Sequence, residues 1–179
     1  LVFAADNRLY TRRLDKLEAR PIPGTEGASD PFWSPDSQWI GYLTQGKVRK
    51  IPGAGGESSV VSAMPEGITR GVGASWGPDG RILLAAGSGP LYEVRAIGGD
   101  ATPLLKADPK LRQDHFHEPT WLPGGKGLLF TVHRSLGSVS VSGGVDTLAL
   151  LADGRQKILL QQEGQEIWHP VYSPTGHIL

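Results

Sequence analysis

One aromatic-turn-strand phrase occurs four times along this 179-residue chain, and its spacing constrains the fold more than any other feature. The first copy is Asp30-Pro31-Phe32-Trp33-Ser34-Pro35-Asp36-Ser37-Gln38-Trp39-Ile40-Gly41-Tyr42. The second is Trp76-Gly77-Pro78-Asp79-Gly80-Arg81-Ile82-Leu83-Leu84. The third is Trp121-Leu122-Pro123-Gly124-Gly125-Lys126-Gly127-Leu128-Leu129-Phe130, and the fourth is Tyr172-Ser173-Pro174-Thr175-Gly176-His177-Ile178-Leu179. The lead aromatics are 43, 45 and 51 residues apart. A period of about 40–45 residues matches one four-stranded blade of a β-propeller.

The turn inside each copy has a physical basis. Proline at its second position fixes φ for a type I turn, serine at the first can accept from the backbone, and glycine or a small residue closes it. Each copy therefore predicts strand, tight turn, strand. The whole chain then reads as an all-β segment of four-stranded antiparallel blades. A partial blade covers 1–28, because Leu1 to Leu9 aligns without gaps on Ile40 to Val48 and so starts at a second strand. Blades follow at about 29–66, 70–110 and 115–164, and 166–179 holds the first strand of a further blade. The extra length of the third full blade falls in a Gly/Ser-rich loop, 135–145, and His133 is expected exposed beside it. The second strands, such as Ile82 to Ala86 and Leu128 to Val132, are continuously apolar, as strands packed on both faces are. Trp33, Trp76, Trp121 and Tyr172 are the expected structural wedges between blades.

Charge and composition exclude some functions. Lys+Arg and Asp+Glu are both 18, so the basic excess of a nucleic-acid surface is missing. No apolar run is long enough for a membrane-spanning helix, and there is no cysteine for a disulfide or thiolate. The sequence starts and stops within strands and its one methionine is Met64, so it reads as a segment of a longer polypeptide. An open row of blades, with Leu1 to Ala5 as an unpaired edge, is expected, and such edges favour self-association.

Two constellations bear on chemistry. Gly73-Ala74-Ser75-Trp76-Gly77 matches the nucleophile elbow G-x-S-x-G, but the elbow requires a helix after the serine. Here the hairpin turn Pro78-Asp79-Gly80 follows, so the match is a by-product of the repeat and no catalytic residue is assigned. His115-Phe116-His117-Glu118 and His169 carry more weight. Aligning the repeats places Asp30, Gly73, Glu118 and His169 at one equivalent position, with His117 one residue earlier. On innermost strands these side chains would approach one mouth of the central channel. Asp30, His117, Glu118 and His169 are therefore the candidate ligand-binding set. A solvated polar rim explains them without a metal, and neither metal nor cofactor is expected. A metal-dependent hydrolase using these residues is the enzymatic alternative.

The Trp-Ser-Pro-Asp repeats followed by an apolar strand and a Gly-Gly turn resemble the TolB-type propeller repeat. Arg12-Arg13-Leu14-Asp15, Pro21-Ile22-Pro23-Gly24-Thr25-Glu26-Gly27-Ala28, Gly73 to Gly80 and Pro174 to Leu179 bring the likeness closer to propellers that follow bacterial Ser/Thr protein kinase domains. That resemblance implies a ring that is often six-bladed, and a non-catalytic sensory or interaction module of a larger bacterial protein. It implies a protein or small-molecule ligand as partner, with no nucleic acid. Attachment to a membrane-spanning kinase would place the segment outside the cytoplasm. The gating propeller of a prolyl-oligopeptidase-like peptidase is a further alternative. Ser37 in place of the turn glycine and Gly124 in place of aspartate are the departures from the repeat.

Overall fold

The computed structural model describes residues 1–66, 68, 71–134, 145–163, 167–173 and 175–179. The expected loop 135–145 lies outside these apart from Val145, as do residues 70, 164 and 166 at the expected blade boundaries and the turn residue Pro174.

The described residues build four antiparallel sheets, each a simple meander. Blade 1 holds β1 (Val2–Ala5), β2 (Arg8–Arg12) and β3 (Ala19–Pro21). Blade 2 holds β4 (Ser29–Trp33), β5 (Trp39–Thr44), β6 (Lys47–Pro52) and β7 (Ser59–Ala63). Blade 3 holds β8 (Ala74–Trp76), β9 (Arg81–Ala85), β10 (Leu91–Arg95) and β11 (Thr102–Leu105). Blade 4 holds β12 (Gln113–Trp121), β13 (Leu128–Arg134), β14 (Val145–Ala152) and β15 (Arg155–Glu163). These are β-propeller blades. No helix among the described residues is long and apolar enough to cross a membrane.

The four turns share one hydrogen bond. The fourth turn residue donates its amide to the carbonyl of the first: Ser37 to Ser34 at 2.9 Å, Gly80 to Gly77 at 3.1 Å, Gly125 to Leu122 at 3.0 Å and Gly176 to Ser173 at 2.9 Å. That residue has φ of 58° at Ser37 and 78°, 68° and 89° at the three glycines, which is why glycine is the usual choice there.

The blades are joined by apolar interfaces, and their arrangement explains the unbroken apolar second strands. Side chains alternate faces along a strand, so β9 serves two neighbours. Ile82 and Leu84 pack with Phe32, Leu43, Val48 and Val61 of blade 2. Leu83 and Ala85 pack with Phe116, Leu128, Phe130 and Val132 of blade 4. Likewise Ile40 and Tyr42 of β5 face Leu9 and Ile22 of blade 1, while Leu43 faces blade 3.

Three features differ from the sequence reading. The tryptophans pack against preceding blades but are not fully enclosed there. Trp76 meets the Phe32 ring edge-on at 6.4 Å between centroids, and Arg81 lies over the Trp121 ring at 4.8 Å. Trp33, Trp76 and Trp121 each keep part of the side chain exposed, whereas the aliphatic residues of β5 and β9 are buried throughout. Next, β12 starts at Gln113, two residues before the expected start of the blade at about 115, and crosses an irregularity at His117–Thr120. Finally, the stretch 167–173 forms no full strand. One bridge joins Tyr172 and Ile178. Among the described residues no strand pairs with the outer edge of β1.

Candidate functional site

The site grows out of a backbone distortion repeated in successive blades. Asp30, Gly73, Glu118 and His169 have φ of 48°, 109°, 53° and 49°. A left-handed φ is uncommon for any residue but glycine. It is more so here, because Pro31, Pro119 and Pro170 follow and proline drives its predecessor toward negative, extended φ. The strand register jumps between Ser29 and Phe32 and again between His117 and Thr120, so Asp30 and Glu118 sit in β-bulges. A bulge turns a side chain and its amide out of the ladder. The Glu118 amide accordingly leaves its own sheet and donates to the Val72 carbonyl of the preceding blade at 2.9 Å. Such strain costs about 1–3 kcal/mol per residue and persists where the surroundings enforce it, commonly at functional sites.

Gly73 makes the approach of two blades feasible. A Cβ there would lie 2.9 Å from Glu118 Cα, 3.0 Å from its amide nitrogen and 3.2 Å from Oε2. Where its three counterparts carry ionisable side chains, this position contributes space.

The ionisable groups converge across blades. His169 Nδ1 lies 2.7 Å from Glu118 Oε2, with the Glu118 side chain 11% exposed and that of His169 76% exposed. Desolvation raises the Glu118 pKa above the ordinary carboxylate value. His169 opposes that shift and the negative charge of Asp30 adds to it. The result is a largely buried carboxylate, a second carboxylate close enough to repel it, and an imidazole reaching into solvent. Such a set favours a positively charged ligand, which relieves the repulsion between the carboxylates.

The fourth expected residue, His117, belongs elsewhere. One residue before Glu118, it is buried beside Asp146, and the exposed Trp168 ring lies 5.5 Å from its own. His115, His133 and Asp146 are direct partners across β12, β13 and β14, and therefore share one face of blade 4. The His115 ring stacks on His133 at 5.0 Å and lies 5.6 Å from His117. His133 Nδ1 is 2.9 Å from Asp146 Oδ1, and His117 Nε2 is 3.9 Å from the same oxygen. Asp146 Oδ2 accepts from the Ile167 amide at 2.8 Å, and Thr131 Oγ1 donates to the Ile167 carbonyl at 3.2 Å. Burial, then the neighbouring His133, holds the His115 imidazole below its ordinary pKa.

Of the four expected residues, the fold brings Glu118 and His169 into contact, sets Asp30 near enough for its charge to act on Glu118, and places His117 beside Asp146. The sequence reading missed His133 and Asp146, and the expectation of an exposed His133 is corrected by its bond to a buried carboxylate. A usable signal for the bulges was present in the three X-Pro pairs Asp30-Pro31, Glu118-Pro119 and His169-Pro170. Proline has no amide for the ladder, so it marks an interruption in a strand. Ser75 lies on β8 ahead of a hairpin, and its Oγ is 3.3 Å from the Trp121 amide. A separate groove where blade 1 meets blade 2 is lined by Arg12, Arg13, Asp15, Glu18, Arg20 and Trp33.

No protein-family model matches the chain, and no curated protein does either. Solved structures do. A TolB candidate from Agrobacterium tumefaciens is 13% identical with a TM-score of 0.45, the match covering 82% of this chain and 86% of that one. A catalytically inactive His-to-Ala variant of virginiamycin B lyase from Staphylococcus aureus, crystallised with quinupristin, is 16% identical with a TM-score of 0.53. That match covers 84% of this chain and 57% of the lyase, so the chain spans little more than half of that propeller's length. The likeness to the lyase is one of fold.

Proposed function

We propose that this chain is a non-catalytic ligand-binding segment of a propeller protein, taking a cationic group at the channel mouth through Asp30, Glu118 and His169. One observation carries the reading: the left-handed φ at four equivalent positions in successive units, three of them filled by ionisable residues. Turns tolerate such a φ for local reasons, whereas Asp30 and Glu118 adopt it inside the first strands of their blades. The engagement of Ser75 Oγ with a backbone amide supports a binding role over acyl transfer at the G-x-S-x-G stretch. The kinase-associated resemblance of the repeats supports a sensory or interaction module in a larger bacterial protein.

The ligand is a small amine or guanidinium compound, or the basic side chain of a partner. Calorimetry with a panel of primary amines, polyamines and arginine derivatives tests this on wild type, Asp30→Asn and Glu118→Gln. Binding by wild type that each substitution weakens is the expected result. A panel member converted to product at a rate that falls in Glu118→Gln would replace the binding role with an enzymatic one.

A further inference from the structure

Each of the three described interfaces between successive blades holds a cluster of buried aliphatic and aromatic side chains. The far face of blade 4 breaks that pattern. Where β13 presents Leu128, Phe130 and Val132 to blade 3, its other face presents Thr131 and His133. Asp146 stands opposite His133, and His117 stands opposite Thr131 on the adjoining strand. Burying a carboxylate at 2% exposure is costly unless it is paired, and here its partners are imidazoles.

We propose that His117, His133 and Asp146 bind a transition-metal ion of the zinc class. One ligand atom from each lies within 4.8 Å of the others. Around a tetrahedral ion with bonds of about 2.0–2.2 Å, donor atoms stand about 3.2–3.6 Å apart. The distances to Asp146 Oδ1, 2.9 Å from His133 Nδ1 and 3.9 Å from His117 Nε2, straddle that range. Side-chain adjustments smaller than a bond length bring all three onto one ion. Two imidazole nitrogens and one carboxylate oxygen select zinc, cobalt or nickel over magnesium and calcium, which take all-oxygen sets.

The outer contacts are also in place. Asp146 Oδ2 is held by the Ile167 amide, which fixes the carboxylate and leaves Oδ1 toward the histidines. On binding, the ion takes the place of the hydrogen between His133 Nδ1 and Asp146 Oδ1, and the neutral imidazole carries its proton on Nε2 instead. Three protein ligands leave a fourth position open for water or a ligand atom. Because the Ile167 amide is bonded to a metal ligand, occupancy would fasten the segment 167–169, including His169 of the channel mouth, onto blade 4. The site itself uses different side chains from the cation-binding set.

The test is a cobalt titration of the chelator-stripped full chain, followed by visible absorption and by competition with zinc. The expected result is one equivalent of cobalt giving d–d bands, displaced by one equivalent of zinc. Affinity should fall at least about 100-fold in His133→Ala and His117→Gln, more than the loss of an outer-shell contact produces. His177→Ala, in the turn near Thr175, should bind as wild type. Asp146→Asn is a third variant, but it risks the fold because the residue is buried. The half-exposed His133 position therefore decides, with circular dichroism confirming a folded chain. Wild type that takes up no cobalt, or folded His133→Ala and His117→Gln that bind it as wild type does, overturns the proposal.

Discussion

Replacing Gly73 by alanine tests whether the first strands of blades 3 and 4 meet as closely as described. The new Cβ would stand 2.9 Å from Glu118 Cα and 3.0 Å from its amide nitrogen, both backbone atoms that cannot swing aside. Two costs combine. A φ of 109° is unfavourable for alanine, at about 1–3 kcal/mol, and overpacking against a backbone that cannot yield adds about 1–3 kcal/mol. The usual gain from a less flexible unfolded chain does not compensate where φ is positive. A loss of about 3 kcal/mol is expected, or a Tm lower by roughly 6–12 °C for a domain of this size. Gly24→Ala is the matched control, because Gly24 has φ of 76° with nothing within 4 Å of the added Cβ. It carries the conformational cost alone. Urea melts of both variants, read by tryptophan fluorescence, give the difference. If Gly73→Ala costs no more than Gly24→Ala, blades 3 and 4 do not approach at Glu118 as described.

Two further outcomes follow from packing and charge. Phe130→Ala, fully buried and edge-on to Phe116, should cost about 3–5 kcal/mol, and half-buried Trp76→Ala about 2–3 kcal/mol; equal losses in chemical melts would return the tryptophan to a dominant role. For Asp79, burial works to raise the pKa, but bonds from the Arg81 side chain and amide outweigh it and hold the carboxyl below its ordinary value. A depressed folded pKa supplies stability that is present above the unfolded value and lost as pH falls through the folded one. The Tm gap between wild type and Asp79→Asn should therefore narrow below about pH 4, and a gap that widens on acidification would contradict the pairing.

Much of the fold could be read from the sequence because its signals are local. Proline and glycine at fixed offsets set the four turns, and the apolar second strands that follow them were readable: β9 ends one residue before the expected Ala86. The two-sided burial of β9 was readable because no residue from Ile82 to Ala86 is polar. The candidate site was only half readable. Alignment put Asp30, Gly73, Glu118 and His169 in register, and His117 was joined to them by its nearness in sequence, although alternation along a strand sets neighbouring side chains on opposite faces. His133 and Asp146 escaped for another reason. Residues 135–144 separate their strands without a turn motif that would fix the register, and a shift by one residue would move Asp146 to the opposite face. The weight given to the tryptophans came from their size. Their position at the strand end next to the turn leaves part of each ring in water.

The amide of Glu118 offers the most direct measurement of the central claim, that a left-handed residue at the same position of successive blades turns groups of different blades toward one place. Its N–H falls in the irregular stretch of β12, and its acceptor is the Val72 carbonyl of the preceding blade. Native-state hydrogen exchange followed by NMR reads that bond at a single residue. The account predicts Glu118 protection comparable to that of Leu83 and Phe130 in the neighbouring core strands, and a fall in that protection in Gly73→Ala. Exchange of the Glu118 amide at the rate of an open loop, with Leu83 and Phe130 still protected, would contradict it.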